Sequence, residues 1–353
     1  KIFWGCNVNT NISSFYQESI KKIQRKMSLS EKESEQLVGA ILNQKIEDVQ
    51  VAALLSGLAV KGEAVSEITG FARGMRSCAL QLSHQEKCLV DTAGTGGDGT
   101  GTFNISTTAA FVIAGAGISV AKHGNRAISG QCGSADVLKQ LGVKIDASKE
   151  ILEACLAECG ITFLFAPAFH QAMKAVAPLR RSLGIRTIFN LLGPLLNPAG
   201  ARRQIIGVFS PHLTETFGQV LESLGCEHVL VFSGFDGLDE ISISGPTKVT
   251  EIKDGLIKNY EIHPEDLGIQ KASVEQIQGG DTSRNANIMK EVLELKCQDA
   301  KRDIVLLNAA AGIYVSGAVE SIKAALESAR HSLNSGQALD KLNELIRLSN
   351  QGN

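Results

Sequence analysis

The 353-residue chain contains no apolar run approaching the roughly twenty residues that a membrane-crossing helix needs, so no membrane span is expected. Charge of one sign is also missing. The 35 Lys and Arg stand against 37 Asp and Glu, a formal net charge of −2, leaving no basic excess to meet nucleic acid. The eight cysteines (Cys6, Cys78, Cys88, Cys132, Cys155, Cys159, Cys226 and Cys297) form no CxxC pair and have no His-rich companion spacing. They read as buried or half-buried thiols of a reducing compartment. Cys155 and Cys159 share one face of an expected helix, which falls short of a metal or redox site. The first residues, KIFWGCNVNT, lack the long apolar core of a secretory signal, and the expectation is a cytoplasmic protein.

What the chain does have is an ordinary globular composition, 44% hydrophobic and 20% charged, at a length that favours two domains. Residues 13–82 read as helical throughout. Ser30 and Glu33 form a capping box ahead of Leu37, Val38, Ile41 and Leu42. Further apolar stripes run through Ile46, Val49, Ala52, Ala53 and Leu54, and through Val65, Ile68, Phe71 and Ala72, with a turn at Lys61-Gly62. From Leu89 the pattern becomes short strands (89–91, 118–121, 161–165, 205–209, 228–233) alternating with helices near 106–115, 134–141, 149–158 and 212–224, the last capped by Ser210-Pro211. Segments 241–244, 248–252 and 256–262 read as antiparallel strands with an Asp254-Gly255 turn, followed by helices near 285–295, 302–316, 319–331 and 338–348. The fold class is therefore α/β: a small all-α N-terminal domain (1–85) and a larger domain (86–353) with a mostly parallel sheet flanked by helices. Residues 170–200, basic and rich in Gly-Pro turns, read as a segment returning to the helical domain and lining the cleft between the two.

The densest signal is Asp91 to Thr107, DTAGTGGDGTGTFNIST, with five glycines feeding a helix start. Glycine lets backbone approach a ligand closely, and the first N–H groups of a helix have no internal partner, so such a loop can cradle an anion. By itself it could also be a surface turn. Its spacing fits neither the P-loop nor the dinucleotide fingerprint. Directly after the next strand comes Lys122-His123-Gly124-Asn125-Arg126-Ala127-Ile128-Ser129-Gly130. Residues just beyond a strand's carboxyl end face the ligand crevice of an α/β sheet, and a phosphate would offset three neighbouring cationic or potentially cationic side chains. Ser134, in Gly133-Ser134-Ala135-Asp136, opens another helix.

Taken in order, GTGGD (94–98), NIST (104–107), KHGNR (122–126), GSADVL (133–138), FAPAFHQAMK (165–174), RxxLGxRTxFNLLGPLLNP (180–198) and LDE (238–240) make the chain similar to the anthranilate phosphoribosyltransferase family. The resemblance extends from the KGE turn at 61–63 to NAAA at 308–311 and SGQA at 335–338. It implies transfer of the phosphoribosyl group from phosphoribosyl pyrophosphate (PRPP) to the amine of anthranilate, with Mg2+ as cofactor and a homodimer formed through the N-terminal helical domain. By position it implies PRPP contacts from Gly94, Gly97, Asp98, Thr102, Asn104, Ile105, Ser106, Thr107, Lys122, the loop His123 to Gly130, and Ser134. It implies anthranilate contacts from Gly94, Asn125 and Arg180, magnesium ligands in Ser106, Asp239 and Glu240, and catalytic weight on Lys122, Asp239 and Glu240.

Several of these motifs are shared with pyrimidine nucleoside phosphorylases, which stand as the alternative enzyme; a non-catalytic paralogue that binds nucleic acid is the alternative outside enzymes. On their own, Asp239 and Glu240 read as either an acidic turn after Asp236-Gly237 or a pair of hard oxygen ligands for magnesium. Arg180 reads as either a planar fork for a carboxylate or a structural arginine beside Arg181 and Arg186. His123 invites a general-base role that the chemistry does not need, since the aniline amine is already largely unprotonated. The family often carries a second serine where this chain has Gly130, and a Lys-Ser or similar pair where it has Gln131-Cys132, so altered affinity is expected there.

Overall fold

The computed structural model describes residues 12–127 and 132–351; Cys6 lies outside them. The first four helices are α1 (Ile12–Gln24), α2 (Glu31–Leu42), α3 (Asp48–Lys61) and α4 (Val65–Ser77). The expected capping box is present, with the Glu33 N–H donating to Ser30 Oγ and the Ser30 N–H donating to Glu33 Oε2. Leu37, Val38, Ile41 and Leu42 of α2 share a core with Ile68, Phe71 and Ala72 of α4. On α3 the inward residues are Val51, Leu54, Leu55 and Leu58, whereas Val49 and Val60 are 78% and 89% exposed. The KGE turn closes on a buried carboxylate: Glu67 pairs with Lys61 Nζ at 2.9 Å and accepts the Leu29 and Ala64 N–H groups. A buried charge is tolerated only with partners of this kind.

The rest of the chain runs β1 (Leu89–Gly94), α5 (Ile105–Gly115), β2 (Ser119–Gly124), α6 (Ser134–Gln140), α7 (Lys149–Cys159), β3 (Ile161–Phe165), α8 (Ala166–Phe169), α9 (Ala177–Leu183), β4 (Arg203–Gly207), α10 (Leu213–Ser223), β5 (His228–Gly234), β6 (Thr247–Lys253) and β7 (Leu256–Ile262). Four helices close it: α11 (Thr282–Leu293), α12 (Ala300–Ser316), α13 (Ile322–Asn334) and α14 (Gln337–Ser349). The strands make one seven-stranded sheet in the order β3-β2-β1-β4-β5-β6-β7, parallel as far as β5 and antiparallel from there. Asp254 and Gly255 both have positive φ, 51° and 76°, as the tight hairpin between β6 and β7 requires.

Alternate residues of the central strands enter different cores. Ile205, Leu230 and Phe232 join α5, buried except at Ser106, and helices α11 to α14, while Ile206, Val229 and Val231 join α10 and the N-terminal helices. The second core also takes in Ala172, Val176, Ile188, Phe189, Leu191 and Leu192 from the 170–200 segment, and Phe189 meets Phe71 edge-on at 5.9 Å. Each such Leu, Ile or Phe contributes about 1.5–3 kcal/mol by burial.

Two expectations fail locally. Residues 241–244 form no strand, because the Ile241 N–H donates to the Asn308 side chain and the Ser242 N–H to Thr247 Oγ1 in place of a neighbouring strand. Ser210-Pro211 does not cap α10 directly: the Leu213 N–H turns back onto the Ser210 carbonyl, and His212 is the cap residue.

The chain lays β2 and β3 on one side of β1 and then places β4 on the other. Ligands of open α/β sheets bind at this kind of switch, beyond the carboxyl ends of the strands. Here that point lies above Gly94 of β1 and Gly207 of β4, which are register partners.

Candidate active site

At that switch the segment following β5 folds over the strand ends, and two glycines make room for it. A Cβ on Gly207 would lie 1.7 Å from the Asp239 carbonyl oxygen, and one on Gly94 would lie 3.1 Å from Asp239 Oδ2. The glycine loop then rises beside Asp239. Gly96, Gly97, Gly99 and Gly101 all have φ between 64° and 76°, a region that L side chains rarely adopt, so the sequence needs glycine there for backbone shape. Inside the loop Asp98 accepts from the Thr100 N–H and hydroxyl. The far end of the loop is strapped down: Thr102 forms a β-bridge with Gln278, the Gly279 N–H donates to the Gly101 carbonyl, and Asn285 Nδ2 donates to Asn104 Oδ1. Asn104 therefore enters α5 in a fixed position, with Ile105 and Thr107 buried and Ser106 facing the acidic segment.

The loop and the acidic pair meet through backbone. The Gly96 N–H donates to Asp239 Oδ2 at 2.8 Å and the Ser106 N–H donates to Glu240 Oε1 at 3.0 Å. Burial raises both carboxylates above their ordinary range, and a neighbouring carboxylate adds to it, Asp98 for Asp239 and Asp239 for Glu240. Lys122 projects from β2 into the same place, only 4% exposed, and donates to the Thr92 carbonyl, to Thr92 Oγ1 at 3.1 Å and to Ser106 Oγ at 3.4 Å. Burial lowers its ammonium while Asp91, Glu240 and Asp239 act in the opposite sense. One ammonium thus sits among three carboxylates, an arrangement with room for further positive charge.

The second motif divides. His123 is buried: its N–H donates to Asp91 Oδ1 at 3.0 Å, its Nδ1 bonds the Gly193 carbonyl at 3.2 Å, and its Nε2 has no partner. Burial, reinforced by His170 at 5.2 Å between ring centroids, pushes it down to about 3, and burial takes His170 to about 4. Both rings are neutral at pH 7 and weak bases. Asp91, fully buried, is pushed up to about 6 by burial. Beyond Gly124, Asn125 accepts the Ala135 N–H and the Ser134 hydroxyl on its carbonyl, and the Ala127 N–H donates to Asp136 Oδ2. Arg126 is exposed, 3.6 Å from Asp136. Ile128, Ser129, Gly130 and Gln131 lie outside the described residues.

Arg180, on α9, has its guanidinium 5.5 Å from the Phe189 ring centroid. The basic residue that reaches the loop is Arg186, whose Nη2 donates to the Gly97 carbonyl at 2.6 Å while its guanidinium stacks on Phe209 at 4.1 Å. Arg186, Thr92, Asp91 and Asn308 were not among the expected site residues. The apolar-to-acidic step at Val90-Asp91 was the one local signal for any of them, since a carboxylate inside a strand that is buried needs a partner.

Fold and site together define a class, a phosphate-handling transferase with a helical bundle set ahead of an α/β domain. The glycosyl transferase family helical bundle domain matches residues 17–79, and the glycosyl transferase family a/b domain matches residues 86–339. The chain belongs to the anthranilate phosphoribosyltransferase family. The enzyme of that name from Syntrophobacter fumaroxidans is 48% identical over 335 residues, 95% of this chain and 99% of the relative. The crystal structure of the Thermus thermophilus enzyme superposes with a TM-score of 0.89 at 40% identity, covering 94% of this chain and 99% of that one. The Saccharomyces cerevisiae enzyme in complex with PRPP and Mg gives 0.87 at 28% identity, covering 96% and 98%.

Proposed function

We propose that the chain transfers the 5-phosphoribosyl group of PRPP to the amine of anthranilate, releasing pyrophosphate and giving N-(5-phosphoribosyl)anthranilate, a step of tryptophan biosynthesis. The observation that carries the proposal is the convergence of Asp239 and Glu240 on the Gly96 and Ser106 N–H groups beside the buried Lys122.

Anthranilate's amine can attack without first losing a proton, so the demanding event is departure of pyrophosphate from C1 of the ribose. Negative charge grows on the leaving group, and what the chain supplies is charge complementarity: the Lys122 ammonium, the loop N–H groups and the first turn of α5. Catalysis then rests on positioning and leaving-group stabilisation. PRPP contacts are assigned to Gly94, Gly97, Asp98, Thr102, Asn104 to Thr107, Lys122 to Ala127 and Ser134, and anthranilate contacts to Gly94, Asn125 and Arg180. His123 contributes shape and backbone, since its ring is committed to Gly193.

The donor set fits magnesium. The carboxylates are hard oxygen ligands, and their mutual repulsion is what a cation relieves. Among the described residues no three His, Cys, Asp or Glu form a complete cage. That suits an ion held by one or two carboxylates and completed by phosphate oxygens and water. Asp239, Glu240 and Ser106 would hold it, and it would supply Lewis-acid stabilisation of the pyrophosphate.

The reaction is assigned to the cleft between the helical part (1–85 with 170–200) and the α/β part (86–353), supported by Arg186 reaching from the returning segment to the Gly97 carbonyl. A cytoplasmic setting is supported by seven free cysteines among the described residues. A homodimer is supported by the exposed face of α3, where Val49, Ala53 and Val60 line up. Val60→Glu should halve a light-scattering mass near two chains; a wild-type mass near one chain would refute the dimer.

The activity is tested by the loss of anthranilate fluorescence with PRPP and Mg2+. Asp239→Asn combined with Glu240→Gln should depress turnover far more than folding. An unchanged rate at saturating Mg2+ would sink the assignment, and consumption of a pyrimidine nucleoside in place of anthranilate would favour a phosphorylase.

A further inference from the structure

We infer that Asn308, in the middle of α12, is a positioning residue for the acidic pair. An asparagine amide is a poor choice for a buried helix interior, where it has to find partners or incur a desolvation cost. Asn308 is 0% exposed and finds three. Its Oδ1 accepts the Ile241 N–H at 2.9 Å, and its Nδ2 donates to the Ile241 carbonyl at 3.0 Å and to the Ile304 carbonyl at 2.9 Å.

Bonding both the N–H and the C=O of one residue is what a neighbouring strand does in a ladder. Residues 241–244 have a strand-like sequence and no strand beside Ile241, so the Asn308 side chain supplies the partner that the sheet does not. The consequence reaches Glu240, because the Ile241 N–H and the Glu240 carbonyl belong to one planar peptide unit. Fixing that plane fixes the backbone from which the Glu240 side chain leaves. From the other side Gly207 packs directly under the Asp239 carbonyl. The two carboxylates are therefore held between β4 below and α12 behind, and only the second grip is a side chain. This inference rests on the assignment of Asp239 and Glu240 as the magnesium-holding pair.

The test is the Mg2+ dependence of turnover in the whole enzyme, at saturating PRPP, for wild type, Glu240→Gln, Asn308→Ser and Leu306→Ala. Loss of an outer partner of a metal ligand weakens the metal by about 10-fold or more. Asn308→Ser should raise the Mg2+ concentration at half-maximal rate about tenfold and leave the KM for anthranilate near wild type. Leu306→Ala, a buried residue of the same helix, serves as the comparison for melting temperature and should leave the Mg2+ requirement in place. Asn308→Asp keeps the acceptor for the Ile241 N–H and loses both donors; it should show the same rise and supplies the reading where the serine variant does not fold. A wild-type Mg2+ requirement in a folded Asn308 variant, with Glu240→Gln shifted, overturns the role of Asn308 alone. A wild-type requirement in Glu240→Gln overturns the metal assignment and this inference with it.

Discussion

Adding one methyl group at Gly207 should disable the enzyme without changing the chemistry of any catalytic side chain. An ideal Cβ there lies 1.7 Å from the Asp239 oxygen, 2.5 Å from its carbonyl carbon and 3.2 Å from its Cα. Ordinary carbon–oxygen contact begins at about 3.4 Å, so the Asp239 backbone has to retreat by roughly 1.7 Å or β4 has to sink by the same amount. Overpacking of this kind costs about 1–3 kcal/mol of stability, small enough to leave a folded protein. A misplacement of about 1 Å in a positioned group lowers turnover on the order of a hundredfold, and metal ligands are less forgiving still. Gly207→Ala should therefore lose at least about a hundredfold in the anthranilate fluorescence assay, and its Mg2+ requirement should rise. Gly94→Ala is the graded comparison, since its Cβ meets Asp239 Oδ2 at 3.1 Å, the Gly207 carbonyl at 3.4 Å and Asp239 Cγ at 3.7 Å, and it should lose less. Wild-type turnover and Mg2+ requirement in a folded Gly207→Ala protein would refute the placement of Asp239 in the chemistry.

Arg180→Lys keeps the charge and loses the planar fork, so the KM for anthranilate should rise about tenfold with kcat little changed; a shift in kcat alone would assign Arg180 elsewhere. Arg186→Ala removes the bond to the Gly97 carbonyl and the stack on Phe209, and should raise the KM for PRPP while leaving that for anthranilate in place, as initial rates at varied PRPP will show. His123 and His170 titrate near 3 and 4 in the fold against 6.5 when unfolded, so each contributes stability that is complete above pH 6.5 and fades as pH falls toward the folded values. Between pH 7.5 and 5.5 each should cost about 1 kcal/mol of unfolding free energy. Urea unfolding at the two pH values should show His170→Asn losing less than wild type, and equal losses would mean the rings are not held neutral.

The sequence shows the site best where the chemistry is local. A loop with glycine at 96, 97, 99 and 101 announces positive φ and a helix start in the same stretch, and Lys122 announces itself as a charge at the carboxyl end of an apolar run, although β2 continues through it to Gly124. Partners distant in the chain are silent. Nothing near Lys122 says that its ammonium will rest on Thr92, and nothing near Gly97 says that Arg186, eighty-nine residues on, will hold its carbonyl. The absent strand at 241–244 is instructive for the same reason. Its apolar-polar alternation is present in the sequence, yet Ile241, Ser242 and Ile243 are all fully buried and the Ser242 N–H bonds Thr247 Oγ1, so the alternation reports neither exposure nor what pairs with the backbone. On α3 the apolar stripe suggests a single buried face, although Val49, Ala53 and Val60 point away from the core that takes Leu54 and Leu58.

The electrostatics of the site and its chemistry have one physical origin. Asp239 and Glu240 are raised by burial and by neighbouring carboxylates, so their ionised forms are disfavoured in the fold. For a raised carboxylate, the stabilisation is present below the unfolded value and is lost as pH rises through the folded one. At neutral pH and above, the ligand-free protein therefore gives up stability at this spot, with Lys122 as the nearest cation in compensation. Anything that brings positive charge between those carboxylates recovers that loss, and anything that brings phosphate oxygens with it also engages Lys122 and the loop N–H groups. Cation and polyanion thus favour each other's binding through the same few atoms. A site built this way is most complementary when charge is building on the departing pyrophosphate, which is where a transferase without a strong acid or base has to obtain its rate.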